Sequence, residues 1–272
     1  MKTQKTRYGA RIDDAERRGS LDRAIASRSI LTRAEGAVAA TVLLLVCLFG
    51  VAPAGASQSF PTPESAITSF IERVKAEDYD GALDACAVNE IATRYDYEAL
   101  IKSVGALFPT LRYLPPEYGL FVANNRRAVE CQILQQLSWI ALSVALPAEY
   151  EDFLKMRTLL DSAIDFDHVV ADMNPEKLLR INIIKIGTSH LLDSERHQEY
   201  LARQARIYGA DVATSRAVLY EIDGGYYVGG FQFFRYDGEW LISALSDILI
   251  DQPASGALLK VSGPAEFEAM LE

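Results

Sequence analysis

Histidine is nearly missing from this chain, with three in 272 residues, and cysteine is as sparse. There is no G-x-S-x-G elbow, no glycine-rich phosphate loop, no C-x-x-C pair and no paired Ser and His signature. Those gaps remove the sequence marks of α/β-hydrolases, phosphate-loop enzymes and thioredoxin-like redox proteins. A basic stripe is also lacking. Residues 57–272 hold 18 Lys or Arg against 32 Asp or Glu, a balance of 18 − 32 = −14. Such a body repels phosphate backbones and anionic membrane surfaces, so nucleic acid is not an expected partner.

Of the three cysteines, Cys47 lies in an apolar run, leaving Cys86 and Cys131 in the body. In an oxidising compartment a bridge between those two would close a 46-residue loop and contribute about 4 kcal/mol in the chain-entropy model. Two unpaired, buried core cysteines are the alternative.

What the chain has is a charged leader, an uncharged apolar segment and a long body. Residues 1–36 carry no sustained apolar period and net charge +4, as expected of a disordered leader. Residues 36–56 contain no charge, centre on ATVLLLVCLFGV and end in Ala52-Pro53-Ala54-Gly55-Ala56. A basic leader, an apolar stretch and a small-x-small ending are the parts of a secretory signal, with cleavage expected after Ala56. The same 21 uncharged residues could instead span a bilayer of about 30 Å as an uncleaved anchor. Either way the positive leader stays inside and the body lies outside, so the expected location is secreted or anchored at the cytoplasmic membrane. Any membrane contact runs through residues 37–56 alone. Leader length also fits a start near Leu31. Leu44-Leu45-Val46 before Cys47 lacks the small residue of a lipoprotein signal.

The body reads as one α+β domain over 57–250, followed by a C-terminal tail over 251–272 with a linker at Gln252–Gly256 and a terminal helix. Thr62 and Pro63 open a helix with Ile67, Phe70, Ile71 and Val74 on one face. Tyr79, Ala82, Leu83 and Cys86 repeat that spacing, giving a helical hairpin. Residues 90–180 read as a mostly helical insertion. It holds a helix over Asp96–Leu107, a loop at Pro109, Pro115, Pro116 and Gly119, and a long helix over Asn125–Leu146 with a stripe at Val129, Ile133, Leu137, Ile140 and Val144. A further helix is expected over Glu149–Leu160. The stretch from Leu137 to Leu146 has no charge, so it is either an ordinary core segment or a face that meets a partner. Ile181–Ile186 reads as a strand, and a helix runs on to Tyr208 with Gly209 as left-handed cap.

The clearest signal is the run from Ser215 to Leu245. Asp223-Gly224 and Asp237-Gly238 separate three segments rich in β-branched and aromatic residues, which predicts a three-stranded antiparallel meander. In the central strand Tyr227, Phe231 and Phe233 share one face and Val228, Phe234 and Tyr236 the other, so both faces look packed. Gly229-Gly230 is the expected site of a bulge or bend.

Chemistry-bearing clusters are few. His190, Asp193 and His197 would share one side of a helix, the minimum for a divalent metal, but His197 also falls in register with an apolar face. Asp165, Asp167 and His168 would need burial in a cleft for acid-base work, and neighbours in sequence do not face one another on a helix. Strand positions near turns offer Glu221 and Glu239. On these grounds no catalytic, cofactor-binding or metal residue is assigned and no cofactor is expected.

The opening PESAITSFIERVKAEDYDGALDAC, with Asp78-Tyr79 followed by Ala82, resembles the first helices of the nuclear transport factor 2-like superfamily, which includes ketosteroid isomerase. The closing YDGEWLISAL resembles its final strands. The resemblance covers residues 62–88 and 180–247. It implies a curved antiparallel sheet packed on N-terminal helices in a cone, often as a homodimer, with the helical insertion as a departure. It implies no single activity, since that fold hosts enzymes, binding modules and adaptors. The expectation is an extracytoplasmic binding or structural module with a small apolar ligand or a protein partner. The alternative is a small-molecule isomerase or hydrolase working inside the cone.

Overall fold

The computed structural model describes residues 59–105, 113–146, 170–246 and 255–272. The leader and the apolar segment expected as signal or anchor lie outside these residues, as do the Glu149–Leu160 helix and the Asp165, Asp167 and His168 cluster. Among the described residues no helix is long and apolar enough to cross a membrane.

Helix α1 spans Pro63–Lys75 and starts where the sequence places it. The backbone N–H of Ser65 donates to Thr62 Oγ1 at 3.1 Å and that of Thr62 to Ser65 Oγ at 3.3 Å, satisfying donors that a helix start otherwise leaves open. Its buried side is Ala66, Ile67, Phe70, Ile71 and Val74. Asp78 then caps the short α2, Tyr79–Leu83, by accepting from Gly81 N at 3.0 Å. Ala82 and Cys86 are buried as the spacing predicts, but Tyr79 is exposed because α2 stops after five residues.

A helix not anticipated, α3 over Val88–Arg94, follows, and then α4 over Tyr97–Val104. Helix α4 ends three residues before its expected limit, at Gly105 in the left-handed region. Helix α5 spans Gly119–Ala145 and starts six residues before Asn125. Asn125 is fully buried instead of starting the helix. Its amide accepts from Leu114 N at 2.8 Å and donates to Leu114 O at 2.7 Å and Ala92 O at 3.4 Å. One side chain thus ties the proline-containing loop to α3. Every regular element described between Val88 and Arg180 is helical, ending in a 3-10 turn at Pro175–Arg180.

The sheet is antiparallel, open and curved, so the fold is α+β. Its strands are β1 Asn182–Gly187, β2 Val212–Ile222, β3 Gly225–Tyr236, β4 Glu239–Ala244 and β5 Leu259–Val261, in the order β1-β2-β3-β4 with β5 beside β3. Both hairpin turns have positive φ at their two central residues: 52° and 79° at Asp223 and Gly224, 52° and 90° at Asp237 and Gly238. That is the twist-matched turn that Asp-Gly favours.

Along β3, side chains alternate between two faces. Phe231 and Phe233 lie on the face covered by α1, where the Phe70 and Phe231 rings meet edge to face at 6.2 Å. Phe70, Phe231, Ile67 and Ile242 belong to one large core. The opposite face is divided. At the Asp223 end, Ala217, Leu219 and Val228 pack with Phe267 of α7, Pro264–Leu271. Residues 259–271, expected as part of a tail, are thus a strand and a helix of this fold. At the other end lies the cleft described next.

Candidate functional site

The bulge expected at Gly229-Gly230 is elsewhere. Register between β2 and β3 runs unbroken through both glycines, Val218 opposite Gly229 and Ala217 opposite Gly230. They mark where the other edge of β3 passes from β5, which pairs through Val228, to β4, which pairs from Gln232. The break in register lies between Gln232 and Phe233: Phe233 faces Ile242, but Gln232 faces Ala244. Ser243 is therefore the extra residue of a bulge on β4, and a bulge re-aims the side chain it adds.

Ser243 opens onto a cleft of about 380 Å³. Helix α5 lines it with Gln132, Gln135, Gln136 and Trp139, at helical spacing on one side. Helix α6, Glu195–Ile207, brings Tyr200 and Gln204, and Tyr208 follows its last turn. The sheet side carries Gln232, Phe234, Ser243, Ala244 and Ser246, with Ile91, Tyr113 and Ser255 completing the wall. None of these residues is Asp, Glu, His, Lys, Arg or Cys. The wall is neutral, rich in amides and hydroxyls, and aromatic.

An aromatic cluster forms the floor. Tyr208 stacks at a tilt on Phe234 at 4.9 Å, and Tyr113 meets it edge to face at 6.0 Å. The phenol of Tyr236 donates to Tyr208 O at 2.9 Å, and burial pushes its pKa far up. Burial likewise pushes Tyr95, against Tyr113, up to about 12. These phenols stay neutral donors at physiological pH.

Two amides are spent on structure. Gln136 accepts from Leu245 N at 2.9 Å and donates to Ser246 Oγ at 3.1 Å, fastening β4 to α5. Gln132 accepts from the Tyr113 phenol at 3.1 Å. Ser243 differs: it is 7% exposed, and its Oγ has no hydrogen-bond partner among the described residues. Trp139, 37% exposed, stands on the open side of α5. In the uncharged run that includes it, Leu137, Ile140, Val144 and Leu146 are buried by the chain itself, Ala141 and Leu142 are half-buried and Ser138 is exposed.

Among the described residues, those singled out from the sequence as candidate ligands or acids are not part of the cleft wall. Ser194 breaks the expected helix, so His190 and Asp193 sit in a 3-10 turn and His197 in α6. His190 Nδ1 lies 2.9 Å from Leu271 O, and His197 Nδ1 lies 2.7 Å from Ser194 Oγ. Among the described residues no group of three His, Cys, Asp or Glu could hold a metal ion. Glu221 accepts from Gly224 N at 2.9 Å in the first hairpin turn, and Glu239 follows the second. Cys86 and Cys131 are both free, one buried and one on the exposed side of α5, so there is no bridge between them. Burial pushes the Cys86 thiol far up, leaving it unreactive.

A groove of about 440 Å³ runs between α4 and α6, lined by Asp96, Glu98, Lys102, Arg203 and Arg206 among others. Its charges are of both signs, Lys102 pairing with Glu98 at 2.6 Å, and it shows no buried polar group lacking a partner.

No family model matches the chain, and no curated protein does. Among solved structures the fold is similar to a cystatin-like protein from Ruminococcus gnavus ATCC 29149, at 13% identity and a TM-score of 0.45. The likeness covers 74% of this chain and 45% of that one.

Proposed function

We propose that this chain is an exported or membrane-anchored binding module, related to the nuclear transport factor 2-like superfamily, whose cleft takes a neutral polar small molecule. One observation carries the reading: the cleft wall holds amides, hydroxyls and aromatic rings, with no carboxylate, imidazole or cation among the described residues that line it. General acid-base catalysis needs an ionisable group within hydrogen-bond reach of the reacting proton. Glu221 and Glu239, the sheet's best-placed carboxylates, sit at hairpin turns. Five glutamines line the cleft, which supports a polar ligand over the small apolar one. The superfamily kinship is supported by the Asp78-Tyr79-Ala82 helical hairpin and the Trp240 strand. Leu137, Ile140, Val144 and Leu146 of the uncharged run are buried within the chain, so this reading requires no second copy.

The test is binding of neutral and charged small molecules to the full chain, followed by calorimetry at mildly acidic and mildly alkaline pH. Neutral ligands should bind with the same affinity at both, since none of the described lining residues is an Asp, Glu, His, Lys or Cys. Turnover of an isomerase or hydrolase substrate with a bell-shaped pH profile, abolished by Glu221→Gln or Glu239→Gln, would overturn the reading. Export is checked separately by mass spectrometry of the native protein, with a mature chain beginning at Ser57 or an intact apolar segment in the membrane fraction as the two supporting results. A full-length chain in the cytoplasm would refute export.

A further inference from the structure

We infer that the ligand of this cleft is a neutral saccharide, with Trp139 as its stacking platform and the bulged Ser243 as the hydroxyl that orients it. This rests on the binding-module reading above and narrows it to a substrate class.

A sugar ring has an apolar C–H face and a rim of hydroxyls, each donor and acceptor at once. A site for it needs a flat, accessible aromatic surface and planar groups that donate and accept side by side. The cleft has both. Trp139 is one of two tryptophans in the chain and is 37% exposed at the cleft, and indole combines a large apolar face with a polar edge. Gln135, Gln204 and Gln232 approach from α5, α6 and β3, and each carboxamide offers an acceptor and two donors in one plane. The absence of cations and carboxylates from the wall excludes no sugar hydroxyl but disfavours uronic acids, sugar phosphates and amines, whose charge would be desolvated without a partner. At about 380 Å³ the space suits roughly a mono- or disaccharide by the usual scale of small-molecule sites.

Ser243 supplies the independent observation. A buried hydroxyl without a partner is uncommon and costs stability. Here it is the added residue of a bulge, it is one of the residues lining the cleft, and its Oγ is buried without a partner among the described residues. A ligand hydroxyl completes it. An extended peptide is the less suitable occupant, because peptides are usually held by pairing with a sheet edge. The outer edge of β4 is already taken: Trp240 N donates to Phe60 O at 2.8 Å, Ile242 N to Ala85 O at 2.9 Å and Ala87 N to Ile242 O at 2.8 Å.

The experiment uses the full chain carrying Trp240→Phe, which leaves Trp139 as the reporter. Neutral mono- and disaccharides, matching uronic acids and a blocked dipeptide amide are titrated by tryptophan emission and calorimetry. At least one neutral saccharide should shift the emission with a Kd of ~1 mM or tighter, and the matching uronic acid should bind about tenfold more weakly or not at all. By calorimetry Trp139→Ala should weaken binding about tenfold and Ser243→Ala about fivefold, with melting temperatures close to the parent. Trp139→Tyr should recover part of the loss. If no neutral saccharide binds while the dipeptide amide does, the saccharide assignment is wrong and the neutral-ligand module stands. Saccharide binding indifferent to both substitutions places the sugar elsewhere and also overturns the assignment. If only charged compounds bind, both readings fall.

Discussion

The two faces of β3 are neighbours by one residue and opposites in character. Phe231 and Phe233 press against α1, the Phe231 ring meeting Phe70 edge to face within one large hydrophobic core. Gln232 and Phe234 point the other way, into a wall of amides and hydroxyls around a space large enough for a guest. Alternation along one strand puts a stabilising interior and a recognition surface back to back. The rigid aromatic side holds the strand that positions the polar one, which is what a preorganised site requires.

The largest expected effect tests the dry face. Phe231→Ala should lower unfolding free energy by about 3–5 kcal/mol in a denaturant titration, since it empties a fully enclosed ring site. The exposed-side neighbour Gln232→Ala should stay within about 0.5 kcal/mol, and equal losses would break the contrast between faces. Gln136→Leu should cost about 1–3 kcal/mol, because it leaves the Leu245 N–H buried without its acceptor. That result would sharpen the contrast by showing that Gln136 fastens the cleft wall to the sheet. Tyr236→Phe removes the hydrogen bond to Tyr208 O and should cost about 1 kcal/mol. Ser243→Ala, measured the same way, should be neutral or slightly stabilising, because its hydroxyl has no partner to lose.

The smallest effect comes from carboxylates held by hydrogen bonds and ion pairs. Burial opposes ionisation of Glu64, yet its hydrogen bond from Arg216 at 2.6 Å holds the carboxyl below its usual range. The Gly81 N–H and then Arg73 do the same for Asp78, Arg180 for Asp223 and Arg94 for Asp237. A carboxyl with a lowered folded-state pKa binds fewer protons folded than unfolded, so its contribution is present above the ordinary carboxylate value and fades as pH falls through the folded one. The melting temperature should hold from neutral pH to about pH 5 and decline below about pH 4. The exposed pairs are screened by salt, so high salt should shrink that decline.

Much of the scaffold could be read before any coordinates. Thr62 and Pro63 start α1, its buried stripe is the one the spacing predicts, and both Asp-Gly turns adopt positive φ. Gly209 takes the left-handed conformation foreseen for it, against the Arg94 carbonyl, where a Cβ would sit 2.3 Å away. Each is a local rule, decided within a few residues. The candidate site was not legible in the same way. Gln132, Gln135, Gln136 and Trp139 form a stripe on α5 that sequence alone cannot tell from a solvated helix side, and it was the apolar stripe at Val129, Ile133 and Leu137 that drew attention. Paired glycines such as Gly229-Gly230 tolerate a bulge or a bend, whereas the register break depends on how β4 meets β3. The metal-like histidines failed for a similar reason: Ser194 ends one turn and begins the next helix, so their spacing is not a shared face.

The cap of α1, its buried stripe and both hairpin turns were decided by the chain's own order, because backbone sterics and alternation of polarity act over short range. The cleft was decided by tertiary structure alone. Gln136 and Ser246 stand 110 positions apart yet share a hydrogen bond, and only the packing of α5 and α6 across the far end of the sheet turns scattered glutamines, rings and one unpartnered serine into a single surface. Their neutrality was visible in the letters, but that they face one another follows from a core that closes by hydrophobic burial elsewhere.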